Sequence, residues 1–213
     1  NIIDIGLVHA KDDLDRASCL LEQVVAITSL GKIEEGIVLG RRCCHLLGHP
    51  LPEDDLLVDT EMALHVKVLE RQSSLSRYRE MPLASDQKVL IELALYSEML
   101  PLFYLSGRVN LYFLSGMRSI ILALEQGTSG AACYSLDTVG VFFHFQKTYE
   151  LAQDYQKLAL EAVDRLPYEF SSVRTVTQGL WLTMHHRYSL PDLHALCRRN
   201  IKNGICAGEL NYT

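Results

Sequence analysis

Short polar turns, each with a basic residue, recur along this sequence at nearly constant intervals. The basic residues are Lys32, Arg108, Lys147 and Arg187, and they lie 76, 39 and 40 positions apart. Since 76 is about twice 38, a further turn is expected near position 70, where "LERQSSLSRY" gives a polar break around Gln72. Five turns at intervals of about 36 to 40 residues are typical of stacked helical hairpins, in which each unit packs only against its neighbours.

Apolar residues between the turns follow a helical period rather than a strand period. Ala132, Leu136, Val139 and Phe143 are separated by 4, 3 and 4 positions, which places them on one face of a helix. Alternating apolar and polar residues bounded by Asn-Gly or Asp-Gly turns are missing from the sequence. We therefore expect an all-α fold, an α-α superhelix of about five helical hairpins.

Helix-start and helix-stop signals divide the chain into hairpins within a single domain. The last helix has a capping box, with Ser189 followed by Asp192, and Pro191 in its first turn. The second hairpin is short because Pro82 ends its second helix. The predicted pairs are 13–30 with 33–47, 55–71 with 74–80, 84–105 with 108–126, 129–145 with 148–165, and 169–185 with 190–204.

Small residues mark places where two helices are expected to approach closely. Gly36 and Gly40 lie four positions apart in the first pair, and Ala152 and Ala159 lie seven apart in the fourth. A glycine inside a helix costs about 1 kcal/mol relative to alanine. Tight packing is the expected reason for Gly36 and Gly40, with a chance pair as the alternative.

Composition and charge exclude several classes of function. The 213 residues carry a formal charge of −6, which disfavours nucleic acid and anionic membranes as partners, because both need a basic surface. The most apolar region, Met99–Leu124, is interrupted by Pro, Gly, Arg and Asn, and so predicts buried helices rather than a membrane span. The 6 cysteines show no disulfide-framework spacing, which favours reduced thiols and a cytoplasmic location.

One stretch, "CCHLLGHPLP" at residues 43–52, concentrates potential metal ligands. His45 and His49 lie four apart, as in zinc-binding helices. Against a metal site, a glycine and a proline end the helix near His49, and two adjacent cysteines cannot both face one ion from a helix. We expect Cys43 to pack inward and His49 to complement the negative end of the helix dipole, with no metal or other cofactor bound.

Aromatic residues of the central helices are the candidates for a binding groove. Helical arrays bind peptides on their concave face. Burial between hairpins is the competing interpretation, because large apolar side chains usually pack in cores. The group consists of Phe103, Tyr104, Tyr112, Phe113, Phe142, Phe143 and Phe145, and the predicted interaction groove uses Phe103, Tyr104, Tyr112, Phe142 and Phe145.

Several segments resemble known helical repeats. In "LGKIEEGIVLGRRCCHLL", Ile33 takes the apolar position after a Leu-Gly turn, and Gly36 and Cys43 take positions that tetratricopeptide repeats usually fill with alanine. In their order along the chain, "GRRCCHLLGHPLP", "PLFYLSGRVNLYFLS" and "YSLPDLHALCRRNIKNGICAGELNY" resemble the degenerate tetratricopeptide-like region of large multidomain signalling proteins. The resemblance extends from Leu14 to Tyr212.

This resemblance implies a place within a longer protein. Proteins of that family join a serine/threonine kinase-like domain, an AAA-type ATPase module, the helical array, a GAF sensor domain and often a histidine kinase with a receiver. Because the chain starts with Asn1 rather than Met, we expect a fragment whose partners are neighbouring domains or other proteins. The implied function is a non-catalytic scaffold in two-component signal transduction, linking the ATPase module to the sensor and histidine kinase domains.

Catalytic motifs are missing from the sequence. The segment closest to a phosphate loop, "GIVLGRR" from Gly36, lacks the required lysine and hydroxyl, and the kinase catalytic triplets are not found. The adjacent His185 and His186 diverge by about 100° on a helix and are expected at a solvated turn. We therefore expect no enzymatic activity from this region. The alternative function is a stand-alone adaptor that binds peptides, but the basic residues that would hold a peptide carboxylate lie mostly at turns.

Overall fold

A computed structural model describes residues 2–166, 169–184 and 188–208 of the chain. Within these ranges the regular structure is helical, with one isolated bridge between Leu83 and Thr128. The predicted all-α fold of helical hairpins is confirmed. The described helices are α1 (Ile2–His9), α2 (Asp13–Ser29), α3 (Ile33–Leu46), α4 (Asp55–Leu69), α5 (Gln72–Glu80), α6 (Gln87–Leu105), α7 (Val109–Gln126), α8 (Ala132–Phe145), α9 (Tyr149–Arg165), α10 (Glu169–Leu182) and α11 (Leu190–Ala207).

Four hairpins form a continuous stack. Each has a first helix (α2, α6, α8 or α10) and a second helix (α3, α7, α9 or α11) packed against it. The second helix also packs against the first helix of the next hairpin, because α3 contacts α6, α7 contacts α8 and α9 contacts α10. Successive first helices contact one another as well. These contacts bury one core along the stack, as in a solenoid.

Three hairpin turns share one backbone conformation. In each turn a residue with positive φ follows the C-cap: Gly31 (φ 70°), Gly107 (φ 75°) and Lys147 (φ 62°). This left-handed conformation suits glycine and costs other residues roughly 1–2 kcal/mol. The N–H of the next residue then closes a Schellman motif onto a carbonyl five residues earlier, Lys32 to Ile27 (3.2 Å), Arg108 to Phe103 (2.9 Å) and Thr148 to Phe143 (2.9 Å).

The shared conformation corrects the register of the repeat. The sequence pattern placed Lys147 at the position of Lys32 and Arg108. In the structure Lys147 occupies the position of the two turn glycines, and Thr148 is the equivalent of Lys32 and Arg108. The fourth basic residue of the pattern, Arg187, lies outside the described residues. Equivalent positions in the second and third stacked hairpins are therefore 40 residues apart.

The α4–α5 segment packs across the second helices of the stack. α4 packs mainly on α7, where Arg118 forms an ion pair with Glu61 (2.5 Å) and Asn110 donates a hydrogen bond to Asp59 (2.9 Å). α5 packs on both α7 and α9. With only 9 residues, α5 is too short to cover α4. The second predicted hairpin is thus present as two helices, but each buries its apolar face against a neighbouring hairpin.

Two helices begin later than the apolar period alone predicts. α6 begins at residue 87 rather than 84, because the side chain of Asp86 caps it by accepting a hydrogen bond from the Lys88 N–H (2.7 Å). α8 begins at residue 132 rather than 129, because the Thr128 N–H donates to the Pro82 carbonyl (3.0 Å) and holds the preceding residues in the isolated bridge. Among the helices described here, none combines the length and apolar character that crossing a membrane would require.

The two glycines of α3 lie where that helix approaches α6 most closely. A Cβ added to Gly40 would overlap the thioether of Met99, which is fully buried. A Cβ added to Gly36 would lie 3.0 Å from a terminal methyl of Leu102. The tight packing expected at both positions is therefore confirmed, and it joins the first hairpin to the next one along the stack.

Gly40→Ala should lower the free energy of unfolding by about 2–3 kcal/mol, because the added methyl displaces a side chain from a filled core. Gly36→Ala is the matched control on the same helix. Its small overlap with a flexible methyl is offset by a helix-propensity gain of about 1 kcal/mol, so its net change should stay below about 1 kcal/mol. Urea denaturation of both variants measures the difference, and equal effects would contradict the assigned packing.

Candidate protein-interaction site

The five residues of the predicted groove divide between the core and the surface. Phe103, Tyr112 and Phe142 are 0%, 2% and 8% exposed and belong to the hydrophobic core. Tyr104 and Phe145 are 47% and 65% exposed. The five therefore do not line an open groove together: three of them support a surface to which the other two contribute.

Ring contacts connect the two exposed residues through the core. Tyr104 contacts Tyr112 with ring centroids 5.8 Å apart, and Tyr112 contacts Phe113 at 5.0 Å. Phe113 then contacts Phe142 at 5.3 Å and Phe145 at 6.3 Å. Around the two ends of this chain lies an exposed apolar surface that we call the turn patch, formed by Tyr104, Leu105, Val109, Phe145 and Tyr149.

The turn geometry explains why these side chains are exposed. Leu105 and Phe145 end α6 and α8, and Val109 and Tyr149 begin α7 and α9. Leu105 and Val109 therefore flank one turn, and Phe145 and Tyr149 flank the equivalent turn 40 residues later. Neither neighbouring helix can cover side chains at these positions. Sequence reasoning missed Leu105, Val109 and Tyr149. The available signal was the presence of large apolar residues beside tight turns, where surface-exposed polar residues are usual.

A buried polar cluster crosses the hairpins beneath this surface. Arg174 of α10 forms an ion pair with Glu98 of α6 (2.6 Å), and both side chains are at most 10% exposed. Gln178 of α10 accepts a hydrogen bond from the Tyr112 hydroxyl (2.5 Å) and donates one to Asp137 (2.7 Å). The cluster thus joins α6, α7, α8 and α10 by directional bonds, which fixes the relative positions of three hairpins.

Asp137 is the most perturbed carboxyl group of this cluster. Burial raises its pKa to about 7, although the neighbouring amides of Gln178 and Gln156 lower it. The residue is 1% exposed and lies on α8, whose described side chains up to Phe143 are all buried. Because no solvent-accessible surface surrounds it, we interpret Asp137 as a structural carboxyl group and not as a catalytic acid.

The cysteine and histidine stretch at the end of α3 is divided between the core and a carboxylate. Cys43 and Cys44 are 0% and 1% exposed, so Cys43 packs inward as expected. Burial raises the pKa of each thiol to about 12. His49 was predicted to complement the helix dipole, but its structural partner is a carboxylate: its Nδ1 lies 2.8 Å from Oε1 of the buried Glu92. The same oxygen accepts a hydrogen bond from the Tyr96 hydroxyl (2.8 Å).

Thiol chemistry should separate the buried from the exposed cysteines. Iodoacetamide at pH 8 should modify the exposed Cys197 and Cys206 and leave Cys43 and Cys44 unmodified, because the thiolate is the reactive form and burial opposes it. Mass spectrometry of the native protein measures this. Zinc added to the protein should leave the melting temperature unchanged. Rapid alkylation of Cys43, or a zinc-dependent rise in the melting temperature, would contradict this account.

The remaining candidate metal ligands of the sequence are the adjacent histidines of the last hairpin turn. His185 and His186 lie outside the described residues. Within the described part of the chain, no group of three histidine, cysteine, aspartate or glutamate side chains is arranged to hold a metal ion. Comparison of the chain with protein-family models, with curated proteins and with solved structures finds no match.

Proposed function

We propose that this region is a non-catalytic scaffold that holds other protein domains in fixed relative positions. The turn patch is the observation that carries this proposal. Five exposed apolar or aromatic side chains flank equivalent turns of two adjacent hairpins, and exposed apolar surfaces are typical of protein interfaces. The aromatic chain behind the patch and the buried polar cluster make that surface rigid, which lowers the entropic cost of binding.

The partner that we propose for the patch is a neighbouring domain of a larger cytoplasmic signalling protein. The resemblance of the segments around Gly40–Pro52, Gly107 and Ser189 to the helical array of such proteins supports this assignment. In that arrangement the array links an AAA-type ATPase module to sensor and histidine kinase domains. A stack whose hairpins are joined by a buried ion pair and a buried hydrogen-bonded cluster can transmit a displacement from one end to the other without local unfolding.

The reading frame around this chain gives the first test. We expect sequences for an ATPase module on one side and for a GAF domain or histidine kinase on the other. A complete reading frame with neither would contradict the assignment to this class of signalling protein.

Binding of the purified neighbouring domains to the array gives the second test. The double substitution Leu105→Asp with Phe145→Asp should weaken this binding at least about tenfold, because it places two charges in the centre of an apolar interface. Leu57→Asp with Leu64→Asp is the matched control, because these leucines of α4 are 59% and 58% exposed and lie outside the patch. Equal effects of the two double variants, measured by calorimetry, would contradict the role of the turn patch.

A further inference from the structure

The groove between two successive second helices is filled by the chain itself in the middle of the stack. α5 packs against both walls of that groove, α7 and α9. Leu75 and Tyr78, three positions apart on α5, are each 1% exposed, and the Tyr78 hydroxyl shares a hydrogen bond with Thr128 (2.6 Å). Arg79 adds an ion pair to Glu161 on the α9 wall (3.0 Å). A short amphipathic helix therefore fits this kind of groove.

Within the described part of the chain, the next groove along the stack, between α9 and α11, is open. It has α10 as its floor and encloses a cavity volume of about 480 Å³. Leu160 and Val163 of α9 line it and are only half-buried. Their equivalents 40 residues earlier on α7, Ile120 and Ala123, are 1% and 0% exposed. The apolar lining of the open groove, formed by Leu160, Val163, Val176, Ala195 and Leu196, thus matches a surface that is covered one hairpin earlier.

The charge on the far wall differs between the two grooves. Glu161 stands 13 residues after Thr148, the N-cap of α9, and Lys202 stands 13 residues after Ser189, the N-cap of α11. Arg199 lines the open groove one helical turn before Lys202, and Asp164 of α9 and Asp192 of α11 line it as well. Both cations are exposed, and neither takes part in an ion pair with another described residue. In the filled groove, the acidic Glu161 faces Arg79. At the equivalent position of α11, the open groove has the basic Lys202 instead.

We propose that the groove between α9 and α11 binds a short amphipathic helix of a partner protein. Two apolar side chains of that helix, three positions apart as in α5, pack between Leu160 and Val176. A carboxylate at the position of Arg79 pairs with Arg199 and Lys202. This inference rests on the proposed scaffold function and adds a second surface, which is separate from the turn patch.

A stapled helical peptide is the probe that we choose for this groove. Its sequence is that of residues 70–81 with Arg79→Glu, so that it keeps the leucine and tyrosine of α5 and reverses the charge. We expect it to bind the intact chain, and the same peptide with the original arginine to bind at least about tenfold more weakly. Lys202→Glu in the protein should invert this preference. Because Lys202 is exposed, this variant tests charge recognition without disturbing the core.

Further variants identify where the peptide binds. Val163→Glu should abolish binding, and its circular dichroism spectrum shows whether the variant is folded, whereas Leu105→Asp in the turn patch should leave peptide binding unchanged. No binding of either peptide, or a preference that Lys202→Glu does not change, would overturn the proposal without affecting the turn patch. Self-association that Val163→Glu abolishes in analytical ultracentrifugation would assign the groove to a second copy of this chain and overturn the assignment to a partner protein.

Discussion

Arg174→Ala should lower the free energy of unfolding by about 3–5 kcal/mol, the typical loss when one partner of a buried ion pair is removed. The guanidinium nitrogen lies 2.6 Å from Glu98, whose side chain is only 6% exposed. Without Arg174 that carboxylate is left in the core between α6 and α10 without its charged partner. Because 1 kcal/mol shifts the melting temperature of a chain of this size by roughly 2–4 °C, the melting temperature should fall by roughly 10 °C.

Two comparisons distinguish the loss of a buried pair from a general loss of charge. The double variant Glu98→Leu with Arg174→Met should recover most of the stability, because it replaces both charges with apolar groups of similar size. Arg108→Ala removes the surface ion pair of Arg108, 39% exposed, with Glu34, 69% exposed, and should leave the melting temperature nearly unchanged. If Arg174→Ala and Arg108→Ala had similar effects in thermal denaturation, the pair with Glu98 would not hold the hairpins together.

Asp137→Asn should stabilise the protein at pH 8 and have little effect at pH 4. In the folded state burial raises the pKa of Asp137 from 3.8 to about 7. As pH rises above 3.8, the unfolded chain loses this proton while the folded chain keeps it, so stability falls until pH passes about 7 and is then constant. A pKa difference of this size corresponds to about 4 kcal/mol. Asparagine is neutral at every pH, so the variant should gain about 2 kcal/mol or more at pH 8.

The pH window separates Asp137 from the carboxyl group with the opposite shift. Burial raises the pKa of Glu61, but hydrogen bonds from His65 and Arg118 outweigh it and lower the pKa to about 2. Stability from Glu61 is therefore present above pH 4.5 and is lost as pH falls toward 2. Urea denaturation at pH 4, 6 and 8 measures the effect, with the exposed Asp164→Asn as control. A benefit of Asp137→Asn that did not grow with pH would contradict the assigned burial.

The sequence could be used to predict features that depend on neighbouring residues. Helical periods and caps locate the hairpins, because the apolar face of a helix and its first hydrogen bonds involve residues within a few positions of one another. Gly36 and Gly40 were also informative, since a helix keeps glycine at a cost where another helix lies close. The sequence pattern gave the wrong register for the third turn because it aligned Lys147 with the basic residues Lys32 and Arg108. The positive φ of Lys147 cannot be predicted from its being a lysine.

Which surfaces face one another depends on contacts between distant residues, and only the tertiary structure decided it. An aromatic helix face more often predicts burial than binding, but it does not say which of its residues stay exposed, so the sequence could not tell that Phe103 is in the core and Phe145 at the surface. His49 and Glu92 are 43 positions apart, and Glu98 and Arg174 are 76 apart. The sequence by itself determined the helices and their turns. The stacking of the hairpins decided which apolar faces are covered, because a helix covers the face that lies closest to it in space. The same stacking leaves the turn patch and the groove between α9 and α11 exposed.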